Sequence, residues 1–291
     1  MLATCGKSDI NFVMFIDRLI DTGDNVSVLL CVVGSGVYGV TQLHDVVYIV
    51  CWRSSTILRF NATTHQRLTD IDVEDLRNPW DIAACEQTSH VYVAGYECVW
   101  RVSSDCEDMK RWWRRKTRWW KPSDTLRPWT LSVTSSRVLV TSRDTNQLMQ
   151  LNEAGEELRR VQLPEYMRPW HAVESPSATF IVSHENTELK QWQVSKVNTE
   201  GQVLRQFSGP RLSPLSLTPH IAVDSRGNIF VADSGNRRIL LLDAQLALRR
   251  VIIDKHQLND LPPYRLCYNE QSGQLMVALG GGVAVFDVLK R

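Results

Sequence analysis

Arg77-Asn78-Pro79-Trp80-Asp81-Ile82-Ala83 is a segment that the chain uses repeatedly. Leu126-Arg127-Pro128-Trp129-Thr130-Leu131-Ser132 and Met167-Arg168-Pro169-Trp170-His171-Ala172-Val173 keep its Arg-Pro-Trp centre. Leu217-Thr218-Pro219-His220-Ile221-Ala222-Val223 and Leu261-Pro262-Pro263-Tyr264-Arg265-Leu266-Cys267 continue the series with His or Tyr replacing Trp. Ser35-Gly36-Val37-Tyr38-Gly39-Val40 is a worn first copy. The aromatic or His position falls at 38, 80, 129, 170, 220 and 264, a mean step of about 45 residues. That is the period of a four-stranded propeller blade.

Within a repeat the pattern is strand, turn, strand. Ile221-Ala222-Val223 leads through Asp224-Ser225-Arg226-Gly227-Asn228 into Ile229-Phe230-Val231-Ala232, and Asp233-Ser234-Gly235-Asn236 leads into Arg238-Ile239-Leu240-Leu241-Leu242. Short β-branched runs between Gly/Asn/Asp turns are what hairpins require, because those residues take positive φ readily. The expected fold is all-β, a six-bladed β-propeller. The last repeat supplies only three strands, whereas the apolar run 26–33 precedes the first repeat without a partner. Placing that run as the fourth strand of the last blade closes the ring and removes a raw sheet edge. Residues 25–291 are thus assigned to the propeller and 1–24 to an N-terminal extension. In that extension Asp9 is placed to cap a helix carrying Phe12, Phe15, Ile16, Leu19 and Ile20 on one face.

Composition narrows the function classes. In 291 residues there are 33 basic and 32 acidic side chains, which excludes a uniformly basic nucleic-acid binder. An apolar content of 43% supports a sizeable core and excludes wholesale disorder. The seven cysteines contain no C-x-x-C pair, so zinc knuckles, a RING finger and a thioredoxin-type site are not expected, and scattered thiols suit a reducing, cytoplasmic setting. No basic segment followed by an apolar core opens the chain, so no secretory leader is expected. The uncharged stretch from Val26 to Leu43 contains Gly34, Gly36 and Gly39 and reads as two strands around a turn rather than a membrane span.

Pro219 through Asp224 together with Gly227-Asn228-Ile229-Phe230-Val231-Ala232-Asp233-Ser234-Gly235-Asn236-Arg237-Arg238-Ile239 resembles an NHL repeat almost position for position. Ser142-Arg143-Asp144-Thr145-Asn146 keeps a related second turn, and the other repeats keep only the Pro-aromatic start. The chain is therefore similar to the NHL propeller at the C-terminus of tripartite-motif proteins. That resemblance implies a six-bladed ring binding protein or RNA, without ligase activity, since RING and B-box cysteines are lacking.

Two surfaces are candidates for binding. The start of each inner strand and the second turn of each blade emerge on one face, around the channel mouth. That places Tyr38, Trp80, Trp129, Trp170, His220 and Tyr264 in a ring, preceded in three repeats by Arg77, Arg127 and Arg168. The second turns add Arg53, Tyr96, Arg143, Glu185, Asn236 and Arg237. Trp, Tyr and Arg anchor interfaces and stack single-stranded bases; the opposing reading is that the aromatics plug the channel and wedge the blades. The second surface is an Arg/Trp hairpin, Arg111, Trp112, Trp113, Arg114, Arg115, Lys116, Arg118, Trp119 and Trp120. Between Asp108 and Trp129 there are eight Lys/Arg against two Asp, a local +6 hidden in a total of +1. Interleaved cations and indoles suit a phosphate backbone with stacked bases. Neighbouring residues of a strand point to opposite faces, so the two Trp-Trp pairs are not both expected to be fully buried, and at least two indoles are expected to be exposed or to cover an inserted loop.

The expected function is a non-catalytic binding or scaffold module, monomeric and without cofactor, that recognises a protein or peptide on the channel-mouth face. RNA binding, on that face or through the hairpin, is the alternative. A degenerate metal-dependent lyase or lactonase ranks third: His171, His220 and His184 are available, but no repeated ligand position or partner base is visible. No metal site is expected. Gly280-Gly281-Gly282 reads as a hairpin turn and not a phosphate loop.

Overall fold

The computed structural model describes residues 26–31, 36–106, 108–114, 127–207 and 219–288. The N-terminal extension, and residues 115–126 of the Arg/Trp hairpin, lie outside them. The described chain forms six antiparallel sheets of four strands each. From the inner to the outer strand, blade one comprises Val37–Leu43, Val46–Cys51, Thr56–Asn61 and Ile71–Asp72, and blade two Asp81–Cys85, His90–Ala94, Cys98–Ser103 and Met109–Arg114. Blade three comprises Thr130–Thr134, Arg137–Ser142, Gln147–Leu151 and Glu157–Gln162, and blade four Met167–Glu174, Phe180–Asn186, Gln191–Val197 and Val203–Gln206. Blade five comprises His220–Val223, Ile229–Asp233, Arg238–Leu242 and Leu248–Ile253. Blade six comprises Arg265–Asn269, Gln274–Leu279, Gly282–Asp287 and, last, the N-terminal strand Val26–Cys31. Each inner strand touches the inner strand of the next blade, and that of blade six touches that of blade one.

Closure takes the expected form. Val26–Cys31 runs antiparallel to Gly282–Asp287, with Leu29 opposite Ala284 and Leu30 opposite Val283. One sheet is thereby completed by strands from both ends of the sequence, and its outer edge is paired.

Burial explains why the second strands read as unbroken apolar runs. They lie between neighbouring blades, and each is buried at all positions or all but one, as in Ile229–Asp233 and Gln274–Leu279. Outer strands face water: the first four residues of Glu157–Gln162 and of Leu248–Ile253 are all exposed. Apolar side chains gather into six clusters, each shared by two adjacent blades. The core is thus a set of wedges around the ring.

One turn recurs more widely than the sequence reading held. Asp224 Oδ1 accepts the N–H groups of Arg226 and Asn228 at 3.0 and 2.7 Å, with Gly227 at φ +82°. Asn152 does the same for Ala154 and Glu156, and Asn198 for Glu200 and Gln202, with Gly155 and Gly201 in the same left-handed conformation. The Asp/Asn-x-x-Gly turn therefore persists in blades three and four, moved to the outer hairpin, where its side chain replaces a backbone acceptor.

At Trp112 and Trp113 the alternation expected of the Arg/Trp strand is broken, whereas Trp119 and Trp120 lie outside the described residues. Arg111 opposes Trp100 and Trp113 opposes Val99, so Trp112 stands in a β-bulge between them. A bulge turns consecutive side chains toward the same side. Trp112 and Trp113 are both half-buried and both pack on the cluster shared by blades two and three. Trp112 Nε1–H donates to the Glu153 carbonyl at 2.8 Å, and its ring lies 4.7 Å from that of Tyr92. These two indoles fasten blade two to blade three. Replacing Trp112 with Ala should therefore destabilise the fold by about 2 kcal/mol, less than a fully buried Trp→Ala would. A shift below about 0.5 kcal/mol in denaturant unfolding, the level of an ordinary surface substitution, would show that the contact is dispensable.

Candidate functional site

The channel is filled from the mouth downward in two layers. Ring contacts run from Tyr38 to Trp80 at 5.8 Å, from Trp80 to Trp129 at 4.5 Å and from Trp129 to Trp170 at 5.1 Å, crossing four consecutive blades. Trp170 continues onto Trp192 at 6.2 Å. Tyr38, Trp80, Trp129, Trp170 and Tyr264 are half-buried, and Trp192 is buried. Bulges put them there. Tyr38 and Trp170 interrupt the pairing of their strands, and Trp80 bonds its N–H to the Ala94 carbonyl although Asp81 is the residue paired with Ala94.

His220 is not part of that ring, contrary to the alignment of the repeats. It pairs with Ala232 as Asp81 pairs with Ala94, so the slot held by Trp80 is taken in blade five by Pro219. Proline has no N–H with which to make the bulge bond. His220 is therefore moved one place inward, into a second layer formed by Asp81, Thr130, His171, His220 and Arg265, all buried.

This layer satisfies inner-strand edges. The inner strand of each blade presents unpaired backbone groups to the channel, and buried ones must find partners. Asp81 accepts the Leu131 N–H at 3.0 Å, and His171 Nε2–H donates to the Leu131 carbonyl at 3.2 Å. The Leu266 N–H donates to His220 Nδ1 at 3.2 Å. Thr130 and Ser132 donate their hydroxyls to the carbonyls of Trp170 and Ala172, both at 2.8 Å. Arg265 reaches across the channel to the Trp80 carbonyl at 3.3 Å and lies 3.7 Å from Asp81.

Asp81, His171 and His220 also bring three metal-ligating side chains together, their ligand atoms within 4.8 Å of one another. The sequence reading missed this convergence because the repeats were aligned one residue out of step at His220. The donor set fits a cation poorly. An acceptor role for His220 Nδ1 places the ring proton on Nε2, the atom that faces Asp81 at 3.9 Å and that a metal would need as a lone pair. The Arg265 guanidinium already supplies the positive charge beside Asp81. The His171 and His220 rings stack at 3.7 Å, and burial holds both well below the ordinary imidazole range. His184, bonded to Ser195 Oγ at 2.8 Å, is lowered by burial to about 4.

An acid sensitivity follows. A histidine whose pKa is depressed in the folded state leaves the unfolded chain binding more protons below about pH 6.5, so stability falls as pH falls. His184 alone accounts for about 3 kcal/mol between pH 6.5 and 4. Asp81 works in the opposite sense, since burial raises its carboxyl despite Arg265, but it is a single group set against the three buried imidazoles of His171, His184 and His220. Thermal unfolding temperature should drop steadily from pH 7 to pH 4.5; a flat profile would contradict neutral, buried histidines.

Above the plug, the face carries the remaining predicted residues. Arg77 and Arg168 are exposed, and Arg127 is half-buried with its guanidinium 5.0 Å from the centre of the Tyr96 ring. Arg127 pairs with Asp144 at 3.8 Å, Arg168 with Glu185 at 3.7 Å and Arg237 with Asp260 at 3.2 Å. Trp52, 41% exposed and stacked under Arg53 at 4.4 Å, belongs to this face and was missed. Its place in the Cys51-Trp52-Arg53 turn, equivalent to that of Tyr96, was the available signal. Leu189 at 60% exposure was missed in the same way, in the corresponding turn of blade four.

No family model matches this chain, and no curated protein does. Solved structures match over most of its length. A catalytically inactive virginiamycin B lyase from Staphylococcus aureus with quinupristin aligns at 12% identity and TM-score 0.63, over 89% of this chain and 97% of that one. A streptogramin B lyase aligns at 12% identity and TM-score 0.61, over 90% and 97%. Hydrazine synthase of Kuenenia stuttgartiensis aligns at 14% identity and TM-score 0.60, over 87% and 95%. At such identities the likeness is one of fold.

Proposed function

We propose that the propeller is a non-catalytic binding module that recognises a protein or peptide partner on the channel-mouth face. The observation that carries this reading is where exposed apolar side chains lie. Among the described residues, the large exposed hydrophobics sit either on outer strands or on the second turns of this face, as Trp52, Tyr96 and Leu189. None is found on the turns of the opposite face. Exposed aromatics beside guanidinium groups are typical anchors of interfaces.

Charge separates the reading from its RNA alternative. Arg127, Arg168 and Arg237 each have a carboxylate partner on this face, which weakens the attraction for a phosphate backbone. A catalytic role would draw on the polar layer, yet Asp81, His171 and His220 are buried and engaged with neighbouring inner strands. The matched enzymes share only the fold. An NHL-type propeller fits the same reading.

Peptides selected from a displayed random library should lose at least tenfold in affinity with Trp52→Ala/Tyr96→Ala, at unchanged melting temperature. Leu158→Ala/Leu204→Ala on the outer strands should leave binding unaltered. Selection of no peptide, together with steeply salt-dependent retention on heparin, would favour the RNA reading instead.

A further inference from the structure

Arg143 stands out among the arginines of the channel-mouth face. Its guanidinium lies 5.6 Å from the centre of the Trp129 ring and 5.4 Å from that of Trp170. Among the described residues it makes no hydrogen bond and no salt bridge, unlike Arg127, Arg168 and Arg237. Burial and the nearby Arg168 act against its charge, whereas Glu185 and Asp144 act in its favour. It borders a cleft of about 300 Å³ lined by Arg143, Asp144, Asn146, Arg168 and Thr187. A half-buried guanidinium that stands at the edge of a cleft without an anionic contact is an incomplete arrangement, and an incoming anion completes it.

The geometry points to a subsite for a single carboxylate of a bound peptide, received by the guanidinium of Arg143 with Arg168 beside it. This inference rests on the peptide-binding reading of the face and names the chemistry of one contact. Charge balance selects the anion. Arg127, Arg143 and Arg168 bring three positive charges, whereas Asp144 and Glu185 bring two negative ones, so the cleft has room for one more. A carboxylate supplies that one charge and matches the planar fork of a single guanidinium. A phosphate dianion would overshoot and be repelled by Asp144 and Glu185. The indole surfaces of Trp129 and Trp170 limit solvent on one side of Arg143, which strengthens the contact. Leu189, in the turn that also contains Thr187, offers an apolar neighbour for the residue next to the acid.

Side-chain NMR of the folded protein tests this, read on the Arg143 Nε–H and on the Trp129 and Trp170 indole resonances. The probes are N-acetylglutamate α-amide for a side-chain carboxylate, N-acetylglycine for a chain-terminal one, N-acetylglutamine amide as the neutral control, and inorganic phosphate. Saturable shifts with either carboxylate, and none with the glutamine amide, are expected; whichever carboxylate binds tighter identifies the source. Arg143→Met, which keeps the apolar stem over the indoles, should weaken carboxylate binding by roughly tenfold, and Arg143→Lys by less, since it retains charge but loses the fork. Equal response to carboxylate and neutral amide, unchanged affinity in Arg143→Met, or tighter binding of phosphate would each overturn the assignment. Library-selected peptides titrated in parallel separate the two levels. If they perturb Trp52 and Tyr96 but leave Arg143 untouched, the face still binds peptides and the carboxylate subsite falls. If they perturb neither, both fall together.

Discussion

Replacing Asp81 with Ala is expected to lower the unfolding free energy by about 3–5 kcal/mol, a large part of the stability of an ordinary domain. Asp81 is 2% exposed and Arg265 is 5% exposed, so removing the carboxylate leaves a buried guanidinium without a counter-ion. It also leaves the Leu131 N–H without its acceptor, on an inner-strand edge that no other strand covers. Arg265→Leu alone should cost a similar amount, because the carboxylate is then the uncompensated charge. Asp81→Asn/Arg265→Leu removes both charges while keeping an acceptor for Leu131, and should lie closer to the unaltered protein than either single replacement. Denaturant unfolding of the unaltered protein, Asp81→Asn, Arg265→Leu and the double replacement gives the coupling, expected to be about 2 kcal/mol or more. Strictly additive effects below 1 kcal/mol each would mean that the buried polar layer does not hold the inner strands.

Removing the chain up to Cys31 should have a larger effect. The strand Val26–Cys31 covers the edge of Gly282–Asp287, where Val283, Ala284, Val285 and Phe286 are buried to within 4%. Its loss deletes a row of ladder hydrogen bonds, each worth about 1 kcal/mol, and re-opens an apolar sheet edge to solvent. The truncated protein is expected to lose cooperative unfolding or to self-associate through that edge. A synthetic peptide of residues 26–31 added in trans should restore part of the transition. A truncated chain that melts like the full one would refute closure by the N-terminal strand.

Much of the architecture was legible in the sequence because its signals are local and repeated. The Pro-aromatic segment marks each inner strand, the Gly/Asn/Asp turns mark the hairpins, and the missing strand of the last repeat points to the run after Asn25. What was not legible depends on register. A single bulge decides whether His220 joins the aromatic ring or the layer beneath it, and nothing in Pro219-His220 distinguishes the two until pairing with Ala232 is known. The same holds at Trp112, where a bulge turns two adjacent indoles onto one cluster against the rule of alternation. The convergence of Asp81, His171 and His220 was hidden for a further reason: they come from three blades and meet only through ring closure. On the face, polar and aromatic residues announced themselves, whereas Trp52 and Leu189 needed the observed turns to be placed.

Structural side chains close the channel, and the proposed binding takes place on the face above it. Photo-crosslinking with benzoylphenylalanine, placed singly at Tyr96 on that face, at Leu158 on an outer strand and at Tyr268 toward the opposite face, tests this most directly. Crosslinks to a discrete partner from position 96, absent from 158 and 268 and suppressed by Trp52→Ala, are predicted. Crosslinks from 158 or 268 with none from 96 would contradict it.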